Sequence, residues 1–243
     1  DSVLPLDLIL FLVATFLAAL VAGLAGFAFG LIAAGVWLHI LTPLQTTTLI
    51  VAFALLIQGI AVWKLRHAVR FERLLPFLVG SALGVPLGAE LLRWASPGPL
   101  RAGVGVVLIV FSLYSLARPK LGAIAAGGRA ADGGVGLLNG VLGGMTGLGG
   151  ILPTVWCSLK GWSKEEQRAV FQPVAVVTFA LTAAWLGASG SIGGETVRLF
   201  LLGLPAVLVG TWLGLKLFGR LDEAGFRKVV LALLLVSGVI LVA

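Results

Sequence analysis

Long runs without a single Asp, Glu, Lys or Arg alternate with short stretches in which those residues cluster. The longest run lies between Asp7 and Lys64 and holds 56 residues; others cover 74–89, 102–117, 133–159, 169–194, 199–215 and 229–243. About 20 apolar residues cross a bilayer as a helix, and the shorter runs reach that length once their polar ends snorkel to the interface. The pattern predicts an all-α integral membrane protein that crosses the bilayer several times.

The stretch 118–132, RPKLGAIAAGGRAAD, is rich in Gly and Ala, carries four charges and is too polar to span, so it reads as a linker. It separates a first repeat, 1–117, from a second, 133–243. Gly23-Leu-Ala-Gly26-Phe27 matches Gly144-Met-Thr-Gly147-Leu148, Gln45 matches Gln167, and Trp63 matches Trp185. Gly80, Gly84 and Gly88 then match Ala206, Gly210 and Gly214, and Arg101-Ala-Gly-Val104 matches Arg227-Lys-Val-Val230. These pairs keep one order while their offset drifts from 121 to 126, which is the mark of an internal repeat.

Charge sets the direction of that repeat. If 5–41 and 133–159 each cross once, eight Lys and Arg fall on one side and nine on the other. If each is a hairpin that enters and leaves on one face, the loops 64–73, 118–132, 160–168 and 216–228 share a side and hold fourteen of the seventeen. The positive-inside rule favours the hairpins and makes that side cytoplasmic. Each half is then a hairpin followed by three crossings: 5–41 with 46–64, 74–92 and 100–117, and 133–159 with 167–188, 197–217 and 226–243. An odd number of crossings inverts the second half relative to the first, with both termini outside. Residues 5–22 span about 27 Å as a helix, enough to cross, whereas 134–146 span about 20 Å.

A mean hydropathy of +1.11 with only 11% charged residues agrees with the membrane reading. The net charge of +7 would point to nucleic acid in a soluble chain; here the basic residues sit in short loops, where they set topology and meet anionic lipid, so no nucleic-acid partner is expected. The lone Cys157 forms no internal disulfide and reads as a packed side chain. Residues 1–22 lack a basic n-region and do not read as a signal peptide, and the start at Asp1 reads as a missing initiator Met.

Candidate chemistry sits at the hairpin tips, VAGLAGFAFG at 21–30 and LGGMTGLGG at 142–150. Gly lets a helix break and bares its N–H groups, and a break at membrane depth is tolerated where it lines a cavity. The second arm of each hairpin starts at the break, so its positive end points inward and suits an anion. Gly23, Gly26 and Phe27 in the first tip, and Gly144, Thr146, Gly147, Leu148, Gly149 and Gly150 in the second, are therefore candidate substrate contacts. The stripes Gly80, Gly84, Gly88 and Gly210, Gly214 read instead as helix packing. Among neutral polar residues inside the spans, Gln45, Thr46 and Gln172 lead, near the starts of the crossings after the hairpins. Gln58, Asn139, Thr154, Ser158, Thr178 and Thr182 are further members of that set. Pro153 and Pro173 shape helix starts or kinks, and the Trp residues read as interfacial belts.

No Asp or Glu lies in the middle of a span, His39 and His67 are isolated, and no metal-ligand spacing, Ser/His/Asp set or phosphate loop occurs. No enzyme, metal or cofactor is expected. A mid-span Arg or Lys is equally unexpected, which favours singly charged anions over dianions, with Lys164 or Arg168 at the cytoplasmic mouth helping a second charge.

The Gly-broken tips GLAGFAFG and GGMTGLGG, the Gln-Thr-Thr-Thr-Leu stretch at 45–49 and the short basic loops together resemble the TauE/SafE sulfite exporter family over nearly the whole chain. The first tip departs from the family's Gly-Gly-Gly-type run, with Phe27-Ala28-Phe29 where the second has Leu148-Gly149-Gly150. The resemblance implies export of sulfite or a small organosulfonate such as sulfoacetate across a bacterial inner membrane. A secondary transporter with its site between the tips near the midplane is the leading reading; an anion channel-like pore or a non-transporting membrane subunit is the alternative. Monomer and homodimer both stay open.

Overall fold

A computed structural model of the chain describes residues 5–37, 39–91, 97–117, 127–146, 149–188 and 193–242. Among them are ten α-helices and no strand: α1 (Pro5–Ala25), α2 (Phe29–Trp37), α3 (Pro43–Leu65), α4 (Phe71–Leu91), α5 (Pro97–Ala117), α6 (Gly128–Thr146), α7 (Ile151–Leu159), α8 (Lys164–Ala188), α9 (Gly194–Arg220) and α10 (Glu223–Val242).

 The helices α3, α4, α5, α8, α9 and α10 hold 20 to 27 residues each, about 30–40 Å at 1.5 Å per residue, which is enough to cross a bilayer. On length and apolar composition, segments of α1, α3, α4 and α9 qualify as spans. The chain is a multi-pass membrane protein.

Each long helix after a hairpin starts three residues before the crossing expected from the sequence. The added turns hold polar residues that belong at an interface: Glu72 in α4, Glu165 and Glu166 in α8, Glu195 in α9 and Glu223 in α10. Carboxylates there also complement the positive helix end. α3 begins with a capping box, in which the Thr42 hydroxyl accepts from the Gln45 N–H at 3.2 Å and the Gln45 side chain accepts from the Thr42 N–H at 3.1 Å.

The segments 5–41 and 133–159 each fold back on themselves. In the first, Trp37 at the end of α2 stacks on Phe11 near the start of α1, with ring centroids 5.0 Å apart. In the second, Asp132 near the start of α6 accepts from the Trp156 indole at 2.7 Å and pairs with Lys160 at 2.9 Å, both near the end of α7, Ile151–Leu159. The returning arms α2 and α7 have nine residues each, about 13 Å, and reach only part-way through a bilayer.

Two expectations change here. Part of the stretch read as a linker is helical, because α6 starts at Gly128; residues 118–126 lie outside the described ones. Gly127 and Gly128 turn the chain with φ of 102° and 51°, the Ala131 N–H closes the first turn on the Gly127 carbonyl, and the buried ion pair lets Asp132 enter the helix. The first arm of that hairpin is therefore about 28 Å long, not 20 Å. Trp37 is fully buried, so it serves as a core residue and not as an interfacial anchor; its ring completes a cluster with Phe11, Phe29 and Phe53.

The main helix contacts correspond when the two halves are exchanged. α1 packs on α9 as α6 packs on α4, α2 on α3 as α7 on α8, and α3 on α9 as α8 on α4, while α3 meets α8 and α5 meets α10. Lipid offers apolar side chains no gain on association, so such contacts rest on close backbone approach and on buried hydrogen bonds. Gly84 lies against the Leu137 carbonyl of α6 and Gly214 against the Leu20 carbonyl of α1, where an added Cβ would overlap backbone. Ser81 of α4 donates to the Gly136 carbonyl at 2.9 Å.

Candidate functional site

The first tip is the break between α1 and α2. Gly26 has φ of 91° and Ala28 has φ of 74°, so the chain leaves helical geometry through left-handed backbone. The carbonyls at the end of α1 lose their intrahelical partners there, and two other helices supply replacements. Gln58 of α3 donates its Nε2 to the Gly26 carbonyl at 2.9 Å. Arg168 of α8 donates its Nη1 to the carbonyls of Gly23 at 2.9 Å and Leu24 at 3.1 Å. A cation at a helix C-terminus is electrostatically apt. Yet Arg168 is fully buried, its guanidinium lies 4.3 Å from the Phe218 ring centroid, and its Nε and Nη2 have no partner among the described residues.

The second tip is built differently. Gly150, with φ of 88°, is the N-cap of α7, and its N–H donates to the Asn139 Oδ1 of α6 at 2.9 Å. Asn139 is fully buried and its amide nitrogen reaches the Ser81 hydroxyl at 3.4 Å, which ties the tip to α4. Gly149 faces Thr178 of α8, and Gly150 faces Ala175. Gly147 and Leu148 lie outside the described residues, as does the side chain of Thr146.

The two tips meet. Phe27, Ala28 and Phe29 share a cavity with Gly149 and Ile151, and Gln58 and Phe179 also line it. Its volume of about 30 Å³ holds roughly two waters, since one needs about 10–15 Å³ measured the same way. The walls are mainly apolar, and the Gln58 Oε1 in them is buried without a partner among the described residues. The space is too small for a hydrated oxyanion.

Of the sequence-predicted residues, Phe27 and Gly149 line this cavity, Gly26 and Gly150 are their chain neighbours, and the Gly23 carbonyl accepts from Arg168. Gly23 itself packs against Thr211 of α9. Gly144 sits inside α6, two residues before its end. Gln45 is taken up by the capping box, about 20 Å along α3 from Gln58. Thr46 is buried with an unpartnered hydroxyl near that same end. Gln172 is fully buried on α8, one turn from Arg168, and neither end of its amide has a partner among the described residues.

Arg168, expected at the cytoplasmic mouth, lies in the second turn of α8 and is fully buried. Its neighbours Lys164, Glu165 and Glu166 make it read as the end of an interfacial charge cluster, but one turn of helix carries it under the first tip. The available signal was its spacing: Arg168 and Gln172 are four apart, hence on one helix face. Gln58 and Asn139 stood out as polar residues in charge-free runs, but nothing local tied them to the tips, because their partners are 32 and 11 residues away.

Comparison with known families adds the decisive observation: the sulfite exporter TauE/SafE family matches residues 11–241. The chain belongs to the TauE/SafE family. No curated protein and no solved structure gives a significant match. TauE/SafE membership makes this a membrane transporter of sulfite-type anions, from a family of transporters and not of enzymes.

Proposed function

We propose that the chain exports a small, singly charged sulfur oxyanion, sulfite as bisulfite or an organosulfonate, from the cytoplasm by alternating access between two inverted hairpin repeats. The observation that carries the anion is the buried Arg168 guanidinium, with Nε and Nη2 unpartnered and the Gln172 amide one turn away. Arginine keeps its charge and presents its donors as a planar fork that fits an oxyanion. An unopposed cation in a membrane interior is costly, and a bound anion relieves that cost.

The grouping of fourteen basic residues in 64–73, 118–132, 160–168 and 216–228 supports a cytoplasmic Lys164 end of α8 with both termini outside, and we take the membrane to be a bacterial inner membrane. Arg168 then faces traffic arriving from the cytoplasm. Its Nη1 holds the carbonyls of the first tip, so an anion that draws the guanidinium away also loosens that tip. Loading and opening are thereby one event. The tips part to pass the anion and close again on the small apolar cavity seen here.

One guanidinium neutralises one charge. A second would enter low dielectric against helix dipoles alone, at several kcal/mol, so monoanions are preferred over sulfate. The test is uptake into liposomes of sulfite, sulfoacetate, taurine, sulfate and chloride, each followed as pH rises through neutrality. Saturable sulfite flux is expected, with apparent affinity for total sulfite weakening as its singly charged fraction falls, while a simple monosulfonate keeps its affinity. Tight sulfate binding, or flux of none of the sulfur anions, overturns the proposal.

A further inference from the structure

A groove of about 740 Å³ runs along the seam between α4 and α6, within the range of about 300–1,000 Å³ typical of small-ligand sites. Gly133 and Gly134 of α6 line it without side chains, and Phe71, Leu75, Val79 and Leu83 of α4 are exposed along it. Over Phe71–Gly88 α4 is apolar enough to span a bilayer, so this wall faces hydrocarbon. From Phe71 to Leu83 the groove follows α4 for twelve residues, about 18 Å, close to one leaflet of a hydrocarbon core about 30 Å thick. Its shape and depth suit one acyl chain.

The polar end says which headgroup belongs there. Glu72 in the first turn of α4 and Arg129 in the first turn of α6 both line the groove, and both are exposed. Neither side chain forms an ion pair or hydrogen bond among the described residues, with the other or with anything else. Arg129 sits at the positive end of α6, which repels a cation, and a phosphate there answers both the guanidinium and the helix end. Pro76, which also lines the groove, has no N–H for the Glu72 carbonyl, so residue 72 offers a backbone acceptor as well as its carboxylate. Two opposite charges at one mouth that do not meet each other fit a zwitterion. We infer that this groove binds a phospholipid with a phosphoethanolamine headgroup, one acyl chain lying along α4, its phosphate on Arg129 and its primary ammonium on Glu72. A choline headgroup has no N–H to donate, and a glycerol headgroup has no charge for Glu72. The site is independent of the transport reading above.

Native mass spectrometry on the purified, delipidated chain tests it, with phosphatidylethanolamine, phosphatidylcholine and phosphatidylglycerol offered in equal amounts. One phosphatidylethanolamine is expected to be retained, with about a tenfold preference over either other lipid, as one charged hydrogen-bonded contact supplies. Glu72→Gln should erase the preference over phosphatidylcholine, and Arg129→Gln should weaken retention of all three. An added Cβ at Gly134 meets nothing within 4 Å, so Gly134→Leu fills the groove without wedging the helices. It should displace the lipid while the thermal midpoint of the delipidated protein holds. No retained lipid, equal retention of the three, a preference for phosphatidylglycerol, or a preference for phosphatidylethanolamine that survives Glu72→Gln overturns the site. So does a lipid-free dimer that Gly134→Leu dissociates, since a second copy then fills the groove.

Discussion

The two hairpins share a plan and differ in what holds them. The first is closed at its base by stacked aromatic rings, Phe11 on Trp37, and its tip is held from outside, by Gln58 of α3 and Arg168 of α8 donating to α1 carbonyls. The second is closed at its base by Asp132 with Lys160 and Trp156, and its tip is held from within, by Asn139 of its own first arm accepting from Gly150. A tip held by its own hairpin moves with that hairpin. A tip held by side chains of the central helices can be released by anything that competes for those side chains. An anion competes for a guanidinium; it has no comparable claim on Asn139. On the transport mechanism proposed above, the first tip is the one that senses the solute, even though it carries fewer glycines than the second.

Tip glycines offer the largest effect with which to break this comparison. A side chain at Gly26 would start 2.6 Å from the Phe171 ring on backbone of φ 91°, while one at Gly149 would start 3.0 Å from the Thr178 methyl on ordinary backbone. Gly26→Leu and Gly149→Leu should both abolish flux in protein that still purifies monodisperse, whereas Gly149→Ala should keep part of it and Gly26→Ala none. Gly84→Leu is expected to act on another quantity, lowering the thermal midpoint by wedging α4 from α6. Equal transport by Gly26→Ala and wild type would remove the first tip from the pathway.

A smaller effect sharpens the same contrast. Asn139→Ala leaves the Gly150 N–H buried without an acceptor, and Gln58→Ala does the same to one lone pair of the Gly26 carbonyl. Each should destabilise by roughly 1–3 kcal/mol, the Asn139 variant more, because an orphaned donor is costlier than a carbonyl that keeps a second lone pair. Chemical denaturation in detergent reads the difference. The Gln58 variant should also change the half-saturating sulfite concentration, and the Asn139 variant should not.

Much of this was legible in the chain itself. Charge-free runs located the helices, and the grouping of basic residues favoured hairpins before any contact was known. Gly26 and Gly150 marked the breaks because few other residues tolerate their φ. The starts of the helices were less legible, since Glu72, Glu166 and Glu223 look like loop residues until the first turn is seen to reach the interface. Arg168 was the main loss. Its charge placed it in a loop by composition, while its burial depends on α1 ending above it and Phe218 of α9 lying beside it, contacts 144 and 50 residues away along the chain. Gln45 shows the opposite case: a polar residue at a span's start does the local work of a cap, which composition alone does not distinguish from a solute contact.

Everything above turns on Arg168 being the group that receives the anion and not a cap alone. Sulfite counterflow in proteoliposomes, compared between wild type, Arg168→Lys and Arg168→Gln at equal incorporation, tests it most directly. The account predicts saturable exchange for wild type, a reduced rate with a raised half-saturation for the lysine variant, and a loss of at least about 100-fold for the glutamine variant, equivalent to roughly 2.7 kcal/mol of lost stabilisation. Exchange by Arg168→Gln at the wild-type rate would contradict it and leave Arg168 as no more than the C-terminal cap of α1.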